Sequence, residues 1–247
     1  MTGLVLALLA GAVVGLALGG LGGGGSVLAV PALIYLLGLT PAQATTASLV
    51  IVTLTSVTAL TGHARDGNVA WRTGLLFAAA GVVPATLAGA AAGRLPQPVL
   101  TAAFAVVAGT AALRMLRPAR TEPSGHVHPG KAGAAGAGLG AVTGFLGVGG
   151  GFLAVPALVG VLGLAMRTAV GTSLLVITIN SLAALVARGG AGTHLDWAVT
   201  APFTGAAILG AWDGRRLARK AEGETLRKVF ARVLLALAAF MLVDVLV

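Results

Sequence analysis

Ten apolar stretches, parted by short polar or basic segments, run the length of the chain: 4–22, 27–39, 42–62, 73–93, 99–116, 133–147, 152–164, 168–187, 198–213 and 229–247. Their length and scarcity of charge predict helices, most of them long enough to cross a bilayer. The stretches 27–39 and 152–164 are too short. A helix of thirteen residues covers roughly 20 Å, against a hydrocarbon core of about 30 Å. Two long stretches are dotted with polar side chains. The first, 42–62, carries Thr45, Thr46, Ser48, Thr53, Thr55, Ser56 and Thr58. The second, 168–187, carries Thr172, Ser173, Thr178 and Ser181, with Asn180 as the one mid-span amide. Trp71 and Trp197 each follow a polar loop and are expected to anchor helix starts at the membrane–water interface. A strongly basic loop is expected at 214–228.

A second regularity lies on top of the first. Gly22-Gly23-Gly24-Gly25-Ser26-Val27-Leu28-Ala29-Val30-Pro31 returns as Gly147-Val148-Gly149-Gly150-Gly151-Phe152-Leu153-Ala154-Val155-Pro156. At that offset of 125 residues (156 − 31), 21 of the 42 positions from Gly19 to Leu60 are identical, which marks an internal duplication. Glycine costs about 1 kcal/mol per residue in a helix relative to Ala, so each glycine run should break one. In hydrocarbon a broken backbone survives only when buried in protein or facing a wet cavity. Matched breaks in two halves point to a transporter's substrate site. Gly11, Gly15, Gly19 and Gly23, at four-residue spacing, predict a face for close helix packing.

Composition sharpens this picture. Only 9% of the residues are charged and 57% are hydrophobic, where a soluble domain has about 25% charged residues, so the chain reads as an integral membrane protein. The net charge of +9 is split among short membrane-flanking loops, which suits anionic lipid headgroups and not nucleic acid. The stretch 4–22 lacks a basic leader and has a counterpart at 133–147, and is expected to belong to the fold.

The 16 Lys and Arg residues separate two topologies. With four spans in each half they divide about seven to nine. With stretches 4–22 and 27–39, and their copies, as hairpins that enter and leave on one side, fourteen share a side and only Arg94 and Arg188 lie opposite. The positive-inside rule selects the second arrangement. The expected fold is therefore an all-α polytopic membrane protein of two inverted-topology repeats, each a broken-helix hairpin plus three transmembrane helices. The first repeat is 1–116, a cytoplasmic linker is 117–131 and the second repeat is 132–247. The expected location is the cytoplasmic membrane, with both termini outside.

In that arrangement the short helices begin at the breaks, and their free N–H groups and partial positive charge face the protein interior. The candidate substrate ligands are Gly24, Gly25 and Ser26 at one break and Gly149, Gly150 and Gly151 at the other. Thr45, Thr46 and Ser48, opposite Thr172 and Ser173, add hydroxyls, and Asn180 adds an amide. Such a set holds an anion by dipoles and hydroxyls; the competing fate of each hydroxyl is a bond to its own helix. No enzyme is expected. Gly24-Gly25-Ser26 lacks the lysine of a P-loop, and no His and Asp are placed to activate Ser26. No metal or other cofactor is expected either, because His126 and His128 lie in the linker without Cys or carboxylate partners. Asp66, Asp196 and Asp213 fall at span ends, where solvation and local arginine pairs are the default. His63 and His194 border loops, at positions open to a pH-sensing role.

Two copies of Gly-Gly-Gly-x-x-x-x-Pro, each followed by a span with a Thr-Ser pair, resemble the sulfite exporter TauE/SafE family of membrane transporters. The residues that carry the resemblance are Gly23-Gly24-Gly25 with Val30-Pro31, Gly149-Gly150-Gly151 with Val155-Pro156, and Gly171-Thr172-Ser173. The loop elements Gly67-Asn68-Val69-Ala70-Trp71 and Thr193-His194-Leu195-Asp196-Trp197 match its style. The first copy departs from the pattern, with Ala44-Thr45-Thr46-Ala47-Ser48 in place of Gly-Thr-Ser. The resemblance implies export of small sulfur-containing anions such as sulfite or organosulfonates. The chain then reads as a secondary transporter whose partners are a small anion and the lipid bilayer; a homo-oligomer is compatible with it. The alternative is a channel-like anion facilitator, or an importer of a related oxyanion.

Overall fold

The computed structural model describes residues 2–92, 97–116, 128–145, 151–188 and 196–246. Among them the first half contains α1 (Thr2–Leu21), a break, α2 (Gly24–Pro31) running on into a π-helical turn (Ala32–Leu36), then α3 (Pro41–Arg65), α4 (Trp71–Ala92) and α5 (Gln97–Leu116). The second half repeats the order with α6 (Pro129–Phe145), α7 (Gly151–Gly160), α8 (Met166–Arg188), α9 (Trp197–Lys220) and α10 (Gly223–Leu246). No strand occurs among the described residues. The segments Gly3–Leu21, Gln43–Arg65, Trp71–Ala88 and Met166–Val186 are long and apolar enough to cross a membrane. The protein is an all-α, multi-pass membrane protein.

The duplication is written in local geometry as well as in sequence. Gly38 and Gly163, 125 residues apart, both take a positive φ, +69° and +67°, where a left-handed glycine stops a helix. The next amide in each copy reaches back across the turn, Leu39 N to Leu33 O at 3.1 Å and Leu164 N to Leu158 O at 3.0 Å. Thr40 then caps α3 through a reciprocal pair with Gln43, satisfying two orphan amides at once. Trp71 and Trp197 open α4 and α9 and are exposed, as interface anchors should be.

Three expectations change. The short segment, expected from residue 27, starts at Gly24, within the glycine run, and Pro31 is the last residue of its α-helical part, before the π turn. A mid-helix proline removes one amide and crowds the preceding turn; the chain continues in the wider π register from Ala32. The expected basic loop 214–228 is almost wholly helical, because α9 runs on to Lys220 and α10 resumes at Gly223. Arg215, Arg216, Leu217, Ala218, Arg219 and Lys220 are good helix formers whose charged face needs only water. Finally, α6 begins at Pro129, earlier than the expected 133.

Helices from opposite halves make the main contacts. α1 lies along α9, α4 along α6, α3 along α8, and α5 along α10. The first two seams are parallel and built on glycine. A Cβ at Gly11, Gly15 or Gly19 would run into the backbone of Phe203, Ala207 or Ala211, in that order. A Cβ at Gly136 or Gly140 would run into the backbone of Phe77 or Gly81. Gly136 and Gly140 are Gly11 and Gly15 moved by 125 residues, so the two seams are copies of one another. Phe77 and Phe203, one per seam, are fully buried. Outside the bundle, Leu9, Val13, Val83, Leu87, Val106, Val186 and Leu209 are exposed, an apolar surface fit for lipid tails.

The α3–α8 contact differs in direction. Ser56 meets Thr178 through a 2.9 Å hydroxyl bond, while Thr172, near the start of α8, accepts from Ala70 beyond the end of α3. Positions rise on one helix as they fall on the other, so α3 and α8 are antiparallel.

Glycine seams predict a sharp contrast within one helix. Gly140→Ala should overpack the α4–α6 seam, at a cost of about 1–3 kcal/mol, and lower the detergent-solubilised melting temperature by several degrees. Gly133→Ala, whose added Cβ meets nothing within 4 Å, should leave the melting temperature unchanged or raise it. Thermal unfolding followed by circular dichroism checks both.

Candidate substrate site at the helix break

Gly22 ends α1. Its φ of +72° lies in the region open to glycine and strained for other residues, while its amide still closes on the Leu18 carbonyl at 2.9 Å. A side chain there would strike the Ser173 hydroxyl, with Val170 O and Val155 close behind. Gly23 is tighter, because an added Cβ would land on the carbonyl of Gly151, the first residue of α7. The first break is thus seated against the start of the other short helix and against the second turn of α8. Gly151 is buried. Gly24, Gly25 and Ser26 form the first turn of α2 and not the break itself. Gly149 and Gly150 lie outside the described residues.

The hydroxyls sort into distinct groups. Ser173 is fully buried and donates to Val170 O at 2.7 Å, within its own helix, while its oxygen remains beside Gly22. Ser48, also buried, donates to Thr45 O at 2.8 Å. Thr45 is half-buried and Thr46 buried. Thr172 is fully buried and turns away from the break, accepting the Ala70 amide at 3.0 Å to fix the α3–α4 turn onto α8. Asn180 is half-buried, about 10 Å further along α8 than Ser173. It lines a narrow crevice between α4 and α6 with Phe77, Gly81, Gly136 and Thr143. The structure therefore joins Ser173 and Gly151 to the first break and leaves Thr172 and Asn180 apart from it.

Groups flagged only weakly by the sequence assemble nearby. His63 is 4% exposed, not solvated in a loop, and its Nε2 lies 3.1 Å from Gly19 O, one turn before the break. Asp66 pairs with Arg215 and Arg219 of α9, at 3.5 and 3.7 Å, and not with a local arginine. The signal available in sequence was Gly62: a Cβ there would run into the Arg215 guanidinium, which crosses α3 at that point. Asp213 does pair locally, with Arg216 at 3.4 Å, and Asp196 caps α9 through Ala198 N at 3.0 Å. His128 accepts from Gly130 N at 3.2 Å at the start of α6, whereas His126 and His194 lie outside the described residues.

Two substitutions one residue apart should separate scaffold from site. Thr172→Val strands the Ala70 amide and should cost about 1–3 kcal/mol of stability, with faster hydrogen exchange at Ala70. Ser173→Ala loses a bond to its own helix and should cost less than about 1 kcal/mol, with Ala70 exchange unchanged. Hydrogen exchange read by mass spectrometry on the peptide spanning the α3–α4 turn distinguishes them.

Comparison with known proteins agrees with the fold and the paired glycine motifs. Residues 7–241 match the family described as sulfite exporter TauE/SafE. A probable membrane transporter protein of Xylella fastidiosa (strain 9a5c) is 33% identical over 250 residues, covering 97% of this chain and 95% of that protein. A probable membrane transporter protein from strain Temecula1 / ATCC 700964 is also 33% identical, over 249 residues, with the same coverage. A match over nearly the whole length, on a bundle with this repeat, settles the assignment: the chain belongs to the sulfite exporter TauE/SafE family of membrane transporters.

Proposed function

We propose that this membrane transporter is a secondary exporter of small sulfur-containing oxyanions, sulfite or organosulfonates, across the cytoplasmic membrane. The observation that carries the reading is the apposition of the first break, at Gly22 and Gly23, with Gly151 at the start of α7. The substrate is held where the α2 and α7 N-termini converge, by amides around Gly24, Gly25, Ser26, Gly149, Gly150 and Gly151 and by the Ser173 hydroxyl, with Ser48, Thr45 and Thr46 at the corresponding place in the first half. Helix N-termini favour anions, and hydroxyls in place of a fixed cation keep binding weak enough for release. Thr172 supports this site by holding the turn at Ala70, and Asn180 serves an approach to it between α4 and α6.

The inverted topology belongs to the same proposal. Antiparallel packing of the equivalent helices α3 and α8 is what inversion requires of two helices that both cross the bilayer. The fourteen-to-two division of Lys and Arg favours a cytoplasmic 117–131. Cysteines at Ser124 and Glu222 should both react with an impermeant maleimide only from the cytoplasmic side, and one at Gln97 only from outside. Reaction of Ser124 and Glu222 variants from opposite sides would rule out the inverted arrangement.

An anion leaving a negative cytoplasm needs no coupling ion. The membrane potential supplies about 2.3 kcal/mol per charge for each 100 mV, which corresponds to a gradient of roughly fifty-fold, since each 1.4 kcal/mol is a factor of ten. In proteoliposomes, sulfite flux should follow an imposed potassium-diffusion potential and persist when the pH gradient is collapsed. Loss of flux with the pH gradient, at fixed potential, would refute potential-driven export.

A further inference from the structure

The cluster of His63, Asp66, Arg215 and Arg219 has unused binding capacity. His63 Nε2 faces the carbonyl of Gly19, which only accepts, so that nitrogen carries the hydrogen. In the neutral ring Nδ1 is then a lone-pair acceptor, and it is buried with no partner. Arg215, whose charge is permanent, has its Nε–H buried with no partner as well. Asp66 does not saturate the Arg215 guanidinium, since its 3.5 Å contact, like its 3.7 Å contact with Arg219, exceeds the length of a close charge-assisted hydrogen bond. One unmet acceptor and one unmet donor therefore sit in one cluster whose charges, two arginines against one aspartate, sum to +1. Buried polar groups left this way are costly.

The place is equally specific. Gly19 is on the last turn of α1, three residues before Gly22. Gly171, one residue before Thr172, admits the Asn68 carbonyl and the His63 Cβ onto α8, where a Cβ of its own would clash. Gly62 leaves the channel in which Arg215 lies. Three elements are thus shaped around the cluster, at the end of the bundle that carries Arg65, Arg72, Arg215, Arg216, Arg219 and Lys220.

We infer that this cluster is a capture site for a singly protonated oxyanion, which the anion occupies before it reaches the first break, with Asp66 as the resident counter-ion that it displaces. Such an anion donates its O–H to His63 Nδ1 and accepts from Arg215 Nε–H with its charged oxygen. A fully deprotonated dianion lacks the donor, and an anion such as methanesulfonate has no acidic hydrogen. Release of Asp66 from Arg215 and Arg219 frees the α3–α4 turn of one half from α9 of the other, so capture loosens a tie between the halves. The inference rests on the oxyanion-export reading, and its test separates the two.

The test uses full-length protein in proteoliposomes, with sulfite at a pH where it is mostly singly protonated and methanesulfonate as the comparison, and reads KM and maximal rate. Arg215→Gln should raise the sulfite KM at least tenfold, while Asp66→Asn, which removes the competing carboxylate, should lower it several-fold. An ion pair that merely braces the fold would make the two substitutions act alike, and effects in the same direction would overturn the capture site. Arg215→Lys guards against misfolding: it keeps the charge for Asp66 and lacks Nε–H, so KM should rise with a normal size-exclusion profile, and an unchanged KM would also overturn the inference. His63→Phe should erase the preference for sulfite over methanesulfonate, and a preserved preference would exclude His63 as the acceptor. Wild-type protein that moves neither anion would overturn the export reading itself, and the capture site with it.

Discussion

Hydrocarbon provides no hydrophobic driving force between helices, so a membrane bundle is held by close van der Waals contact and by polar groups that find each other. In this protein the closest contact is backbone on backbone. Gly11, Gly15 and Gly19 let α1 settle onto α9, and Gly136 and Gly140 let α6 settle onto α4. Both seams join the first helix of one half to the fourth helix of the other. With those seams closed, α3 and α8 are forced to cross between them, where Ser56 and Thr178 share a hydroxyl bond. The short helices α2 and α7 fill the remaining interior, where Gly23, just before α2, meets Gly151 at the start of α7.

Most of this architecture was legible in the chain. Long apolar stretches gave the positions of the helices, and the repeat gave their correspondence, because both depend on local composition and spacing. The stripe at Gly11, Gly15 and Gly19 announced a packed face, although only the structure names α9 as its partner. Helix ends were harder. The basic stretch after Asp213 reads as loop by charge, yet Arg215, Arg216 and Arg219 continue α9, since charge opposes burial and not helicity. The glycine run misleads in the same way, because Gly24 and Gly25 are helical in this context despite their intrinsic cost.

The candidate site was legible in part, for a related reason. Hydroxyl-rich spans show that polar groups face the interior but not which groups they reach. Ser173 stays at the break, while Thr172 is diverted to the Ala70 amide by a turn that closes 102 residues away in sequence. The charged cluster was further from view, since Asp66 and Arg215 belong to different halves. When the repeats are aligned on Trp71 and Trp197, Gly89 corresponds to Arg215, and Arg188 corresponds to His63 on the earlier 125-residue offset. The second half has no equivalent set in its sequence. The charged cluster, built from both halves, is thus not repeated at the equivalent positions of the duplication.

The exchange of partners at the glycine seams also bears on descent. A single copy of the repeat cannot close on itself in this way, because the glycine face of its first helix fits the fourth helix of another copy. Two unfused copies would satisfy each other fully, first helix to fourth in both directions. Their third helices would then cross antiparallel, as α3 and α8 do. On the proposed inverted topology, two such half-length chains would have to insert in opposite orientations to pack in this manner. Joining the copies in one chain removes that requirement. It also allowed the two copies to diverge, so that one alone could acquire a histidine and an aspartate where the other has none.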